Sequence, residues 1–584
     1  MVGELLRNYQ HLGIACVKPS IHLFGPGEFE VYLAFCTEEE VPVVYEKIGI
    51  KATENTHDNQ KVAMAASLDC SPSIHILLQA RHMLESCRSK HPKCAEDADA
   101  GWLPTRLIFV GSSEHPVDAR LTITSDLEPS ERPTHYVALS HKWGKIPFLM
   151  LEEKKNLAEF RARIPVEDLR TTFQDAIEVT RGLGFQYLWI DSLCIMQDSK
   201  EDWLRESVVM DLVYRNAVCT LAASEAESLE QGLFDAARPT IQLSFIHSLE
   251  LLGSPRCFTI SLDPQSFIPR RLAQSPLLTR GWVVQERYLA PRTIYFGSPL
   301  IFECRECLMS DGYPGEVPIQ YPLVIQRKIW PSLLQGEERP YKYWTTAVGA
   351  FTKCSLTKSE DRLIAMSGIA KTLAPILRSR YVAGLWEEYL PQCLLWCVDK
   401  VPAEDESAEN VDSCGQEYIA PSWSWGSTKG AVSHLIPSSI DHLPLFQCTR
   451  ISTQSRGEDP FGQIKHASMD IQAKILPLGT LKSVKDQLTS TTTTEIDPKW
   501  FRLDAPLRAE TPIYLFPVLY CAQGNYCLLL VTAGQQDGGI PAYRRAGFAR
   551  VDYRGCLAKS DWVVPGWTHD QPWPVEELGL ARLL

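Results

Sequence analysis

The clearest alternation of apolar and polar positions lies between residues 135 and 308. "HYVALSHKW" (135–143) begins as an apolar run of β type. In "VEDLRTTFQDAIEVTRGLG" (166–184), Leu169, Phe173, Ala176, Ile177 and Thr180 fall at helical spacing, and Gly182 and Gly184 can end the helix. "FQYLWID" (185–191) reads as a second strand. "SKEDWLRESVVMDLVYRNA" (199–217) reads as a second helix, with Trp203, Met210, Val213 and Tyr214 inward, and "VCTLAAS" (218–224) as a third strand. After a variable stretch, 235–275, "RGWVVQERYLAPR" (280–292) reads as a helix and "RTIYFG" (292–297) as a fourth strand. This order, with short links, predicts an α/β domain: a mostly parallel sheet flanked by helices, with right-handed crossovers. Ligands of such sheets sit outside the carboxyl ends of the strands. Those ends are Ser140 to Trp143, Asp191 to Cys194, and Ser224.

The pattern divides the chain into three. Residues 1–100 form an N-terminal extension in which "SIHILLQARHMLESCRSKH" (73–91) is helical. Residues 101–308 form the α/β domain, with core motifs at 135–292, and 309–584 form a strand-rich α+β region. The acidic "KVPAEDESAENVDSCGQE" (400–417) and the Thr-rich "KDQLTSTTTTEIDPK" (485–499) read as mobile loops. "IYLFPVLYCAQGNYCLLLVTA" (513–533) comes nearest to a membrane span, but Pro517, Gln523, Gly524 and Asn525 interrupt it, so it predicts a β-hairpin. In "PSWSWGS" (421–427), Trp423 and Trp425 are two apart, which places them on one face of a strand.

Composition narrows the partners. At 584 residues the chain exceeds what one hydrophobic core supports. The net charge of −13 argues against nucleic acid or anionic lipid as a partner, since both need a basic face. "MVGELLRNYQHLG" has no long apolar run, so no secretory signal is expected. The 18 cysteines are then expected to be reduced and the chain cytoplasmic.

The candidate chemistry centres on Trp282 and Glu286. Four residues apart, they share one helix face, with Arg280, Arg287 and Arg292 around them. Glu286 is either ion-paired with a neighbouring arginine or a reactive carboxylate beside an aromatic wall. Asp191, Ser140 and Ser224 close strand ends, where they either contact a ligand or cap a loop. Cys194 has no triad partner or elbow motif and reads as a buried thiol. Cys87, His91 and Cys94 give C-x3-H-x2-C. The flanking sequence offers no second Cys pair for a fourth ligand, so no metal is expected. No G-x-G-x-x-G follows a strand, and neither a P-loop nor a WD-type repeat is present.

"YVALSHKWG", "YLWIDSLCIMQDSKEDWLRESVVMDLVYRNA" and "RGWVVQERYLAPR" together resemble the heterokaryon incompatibility (HET) domain of filamentous fungi. Flanking pieces, "CRSKHPKCAEDADAGWLPTRLI", "SEDRLIAMSGIA" and "APSWSWGS", are similar to that family too. Where this chain has His141 the family more often has Tyr. The resemblance implies a role in non-self recognition and cell death between incompatible strains. It also implies distant likeness to TIR domains, and so a TIR- or flavodoxin-like fold. Some TIR domains cleave the nicotinamide–ribose bond of NAD with a Glu four residues beyond a Trp, the spacing of Trp282 and Glu286. On that likeness Glu286 is the catalytic candidate and Trp282 a stacking wall. Asp191 would bind ribose hydroxyls, and Ser140, Trp143, Ser224 and Arg280 are further nucleotide-binding candidates. NAD would be substrate, and no cofactor is expected. The other reading is a non-catalytic scaffold acting by self-association or with a protein partner. If the chain acts alone, the C-terminal region is the natural regulator or sensor.

Overall fold

In the computed structural model the apolar runs of the central region assemble into one nine-stranded sheet. The structure describes residues 72–94, 101–144, 148–234, 271–311, 341–399, 418–435, 442–457, 459–489, 498–521, 524–535, 539–551 and 578–584. It also describes the backbone of strands at 16–25, 28–36, 42–51, 259–260 and 313–318, and single residues 268, 328 and 496. The sheet's strands are β1 (Arg106–Gly111), β2 (Pro116–Ile123), β3 (Val137–Ser140), β4 (Tyr187–Trp189), β5 (Thr220–Ala222), β6 (Arg292–Tyr295), β7 (Ile301–Cys304), β8 (Cys307–Ser310) and β9 (Tyr313–Pro318). They lie in the order β9-β8-β7-β6-β5-β3-β4-β1-β2.

Only the middle of this sheet is parallel. β6, β5, β3 and β4 run in one direction. β1 and β2 flank them antiparallel on one side, and β7, β8 and β9 on the other. The expectation of a mostly parallel sheet is corrected to a mixed one. From β6 to β9, and between β1 and β2, the reason is local: consecutive strands are joined by short links, which return the chain antiparallel, whereas β1 meets β4 through a long-range pairing. The parallel strands are almost wholly buried, as strands covered on both faces must be.

The helices are α1 (Pro72–Lys90), α2 (Leu157–Ala162), α3 (Thr171–Gly182), the single turn α4 (Asp191–Cys194), α5 (Lys200–Val208), α6 (Met210–Asn216) and α7 (Gly281–Leu289). α3 buries Phe173, Ala176, Ile177 and Thr180 at the spacing read from the sequence. Its Gly182 lets α1 come close: a Cβ there would stand 2.3 Å from the Leu77 side chain. The one helix expected over 199–217 is two, broken at Val209. Trp203, Met210, Val213 and Tyr214 pack in the core as expected.

A second core lies C-terminal to the first. It gathers Trp344 of α8 (Tyr341–Thr352), Ile369 and Leu373 of α9 (Ser367–Leu377), Trp386, Trp396, Trp423 and Trp425. Val284, Tyr288 and Leu289 of α7 belong to this core, so α7 joins the two regions. The expected hairpin forms, pairing Pro512–Cys521 with Gly524–Gln535 antiparallel. Trp423 and Trp425 are buried but not on a strand. Trp425 starts a 3-10 turn, Trp425–Ser427, whose Ser424 hydroxyl accepts a bond from Gly426 N–H. Lys485 to Thr489, read as loop, close the helix Leu481–Thr489. Residues 400–417 and most of 235–275 lie outside the described residues. Among the described residues, no helix is long and apolar enough to cross a membrane.

Candidate functional site

The four parallel strands run, in chain order, second-first-third-fourth across the sheet. From β3 the chain moves to one side, and from β5 to the other. The connections therefore diverge at the carboxyl ends of β3 and β5, the switch point where open α/β sheets bind ligands. Ser140 ends β3, His141 follows it, and Asp191 stands just beyond the end of β4.

The loop carrying Asp191 is held from beneath. Buried Arg106 donates from Nε to the Cys194 carbonyl at 2.6 Å and from Nη2 to Asp202 Oδ2 at 2.5 Å. Asp202 Oδ2 also accepts the Met196 N–H at 2.8 Å. Asp191 itself accepts from Trp143 Nε1 at 2.8 Å and from the Ser192 N–H at 2.6 Å. Its Oδ1 lies 3.7 Å from His141 Nε2. Asp191 thus bonds the N–H of the next residue in its loop and the Trp143 indole, and it remains the most exposed acid of the cluster.

Glu286 enters from α7, and its arginine neighbours are engaged elsewhere. Arg287 makes two 3.0 Å bonds to Glu303. Arg292 donates to Cys87 Sγ at 3.2 Å and to the Val218 carbonyl at 3.2 Å. Arg280, the residue before the first turn of α7, donates to the His141 carbonyl. Glu286 is 6% exposed, and its Oε2 is buried without a hydrogen-bond partner. Burial pushes its pKa up to about 7. The charge of Asp191 adds to that push, while the Ser140 hydroxyl, Arg280 and Tyr214 oppose it. Ser140 is near enough to act on the carboxyl, yet its Oγ makes no hydrogen bond of ordinary geometry. His141, edge-on to Phe173 at 5.0 Å, is pushed down to about 4 by burial and then Arg280, against the pull of Asp191. It is therefore neutral near pH 7, and its Nε2 also lacks a partner.

Ser140 Oγ, His141 Nε2 and Glu286 Oε2 are thus three buried polar atoms without partners around one switch point. Each costs free energy, so a group of them needs a reason, such as a ligand whose hydroxyls satisfy them. A carboxyl titrating near 7 can give or take a proton at neutral pH.

The remaining candidates divide. Trp143 joins the cluster through Asp191. Ser224 does not: its hydroxyl donates to the Phe296 carbonyl at 2.7 Å, closing β5 onto β6. Trp282 packs against both cores, and its indole N–H lies 3.3 Å from Asp361 Oδ2. Cys194 is buried and its thiol pushed up to about 12 by burial, which leaves it unreactive. Tyr214 was legible only as an inward residue. Its hydroxyl donates to the Leu139 carbonyl at 3.3 Å and borders Glu286. A single position on a helix carries no signal for that second duty.

Residues 136–286, about a quarter of the chain, match the family model of the heterokaryon incompatibility protein (HET). No curated protein and no solved structure matches the chain. The matched segment starts beside β3 and ends on Glu286, so it spans Ser140, His141, Asp191, Tyr214 and Arg280 as well. By that match residues 136–286 of this chain are similar to the HET domain.

Proposed function

We propose that this HET domain acts in fungal non-self recognition and programmed cell death by cleaving an N-glycosidic bond of NAD or a related nucleotide. The observation that carries the proposal is Glu286: buried, without an arginine pair, titrating near 7, at the switch point in the parallel middle of the mixed sheet. The strand order second-first-third-fourth, which TIR and flavodoxin-like folds share, supports the reading.

In this reaction the bond between ribose C1′ and the nicotinamide nitrogen breaks, and its electron pair leaves with nicotinamide. The ribose becomes an oxocarbenium-like cation, water adds to C1′, and one proton is released. Ionised Glu286 faces the cation and stabilises it. Asp191 and the Ser140 hydroxyl hold the ribose hydroxyls, and Arg280 holds the phosphate. The low pKa of His141 keeps a second cation away from the developing positive charge. Because α7 lies in the C-terminal core on its other side, a shift in that core moves Glu286, which suits the C-terminal region to regulation.

The test is NAD loss and nicotinamide release by the purified full chain at several protein concentrations, beside Glu286→Gln. Gln keeps shape and removes charge, so turnover should fall by ~10²–10³. Wild type that consumes no nucleotide at any concentration would leave self-association as the working mode of the domain.

A further inference from the structure

C-x3-H-x2-C in the sequence offers three ligands and no fourth. The fold brings the fourth from the other end of the HET segment. The ligand atoms of Cys87, His91, Cys94 and Cys304 all lie within 4.8 Å of one another, and all four residues are buried. We propose that these residues form a structural zinc site.

The donor set is the first argument. Three thiols and an imidazole converging in the interior are a Cys3His set, which suits zinc over magnesium or calcium. Four protein ligands leave no open position, which marks a structural rather than a catalytic centre.

Spacing is the second. With zinc–sulfur bonds of ~2.3 Å and zinc–nitrogen bonds of ~2.05 Å, a tetrahedron sets sulfur and nitrogen roughly 3.5 Å apart. Cys304 Sγ stands 3.5 Å from His91 Nδ1. Helical geometry explains the first pair: Cys87 is near the end of α1, and the His91 N–H bonds the Cys87 carbonyl at 2.9 Å. The turn Pro92–Cys94 then carries the third ligand back.

The surroundings are the third. The N–H groups of Glu306 and Cys307 point at Cys304 Sγ at 3.4 and 3.3 Å, and Arg292 Nε points at Cys87 Sγ at 3.2 Å. Donors aimed at sulfur stabilise thiolates and orient them for a metal. Two bonds lock the same seam: Lys93 N–H to Glu306 Oε1 at 2.9 Å, and Arg305 Nη1 to the Lys93 carbonyl at 2.9 Å. Cys307 Sγ, 3.8 Å from Cys304 Sγ, stands beside the four but is not among them.

The site would fasten α1 and its following turn to the β7–β8 hairpin. His91 and Cys304 are 213 positions apart, so the metal closes a long loop and holds the N-terminal helix on the HET sheet.

The test is metal analysis of the full chain expressed with zinc in the medium. About one zinc per chain is expected in wild type and in Cys307→Ser, and less than about a tenth of that in Cys304→Ser. Where Cys304→Ser is insoluble, the wild type answers alone. The thiols of Cys87, Cys94 and Cys304 should resist alkylation until a strong chelator is added, and chelation should open the 72–105 segment to protease. Cobalt loaded in place of zinc should show the visible bands of a tetrahedral thiolate site. A wild type that holds no zinc, shows no such bands and keeps its protease resistance in chelator overturns the proposal. So does zinc that survives Cys304→Ser but is lost in Cys307→Ser.

Discussion

Two buried glutamates lie on either side of one short seam between α7 and β7, and they titrate in opposite directions. Glu286 is 6% exposed and Glu303 1%. Burial raises both. At Glu303, however, the charges of Arg287 and Lys328 and hydrogen bonds from Arg287 and Tyr295 outweigh it, and its pKa falls below the usual value. Tyr295 reaches Glu303 Oε2 at 2.5 Å, and Lys328 Nζ, 3.9 Å from that oxygen, also bonds Thr293 Oγ1 at 2.8 Å. Adjacent residues of one helix thus send their charges apart: Arg287 completes a closed network, while Glu286 faces the switch point with no arginine paired to it. Equal burial with unequal partners separates a carboxylate that holds the fold from one that costs it stability.

The strongest way to break this comparison is to neutralise the paired acid. Glu303→Gln leaves Arg287 and Lys328 buried without their counter-charge, which should cost about 3–5 kcal/mol. A drop in urea midpoint of corresponding size is expected, and an unchanged midpoint would mean the network is not closed.

Glu286→Gln should do the reverse to stability, and pH sharpens it. The fold raises Glu286 from 4.5 to about 7, so its contribution is whole below pH 4.5 and lost as pH rises through 7. The loss is on the order of 3 kcal/mol. His141, lowered from 6.5 to about 4, contributes stability that is whole above pH 6.5 and lost as pH falls through 4. Between 4.5 and 6.5 the two slopes oppose one another in wild type. Removing Glu286 leaves that of His141. The melting temperature of Glu286→Gln relative to wild type should therefore climb from pH 4.5 to 7 and then level off. A difference independent of pH would show that Glu286 titrates as an ordinary exposed acid.

Turnover should depend on the same proton. If ionised Glu286 stabilises the ribosyl cation, kcat/KM for NAD rises with pH through about 7 and is flat above. A profile that falls across this range would make Glu286 a proton donor instead.

The smallest effect expected is at Ser224. Ser224→Ala removes one hydroxyl bonded to a backbone carbonyl, a cost of about 0.5–1.5 kcal/mol by thermal melt. Nucleotide turnover should stay at the wild-type rate, in contrast to Glu286→Gln.

Much of this was legible in one dimension. The helical face of α3, the strands at 137–140, 187–189, 220–222 and 292–295, and the hairpin at 512–535 follow from local periodicity. Periodicity is a short-range property that neighbouring side chains impose. The W-x3-E spacing and the strand-end position of Asp191 were equally visible. What the pattern missed depends on partners far along the chain. The fourth thiol beside Cys87, His91 and Cys94 comes from Cys304. Arg287 chose Glu303 over Glu286, and Trp282 settled against two cores at once. Ser140 and Ser224 end equivalent strands, yet one hydroxyl meets a carbonyl and the other meets none. A sequence records which groups are present. Which of them are desolvated, and which then find a partner of opposite charge, depends on distances across the folded chain, and those set the pKa of Glu286.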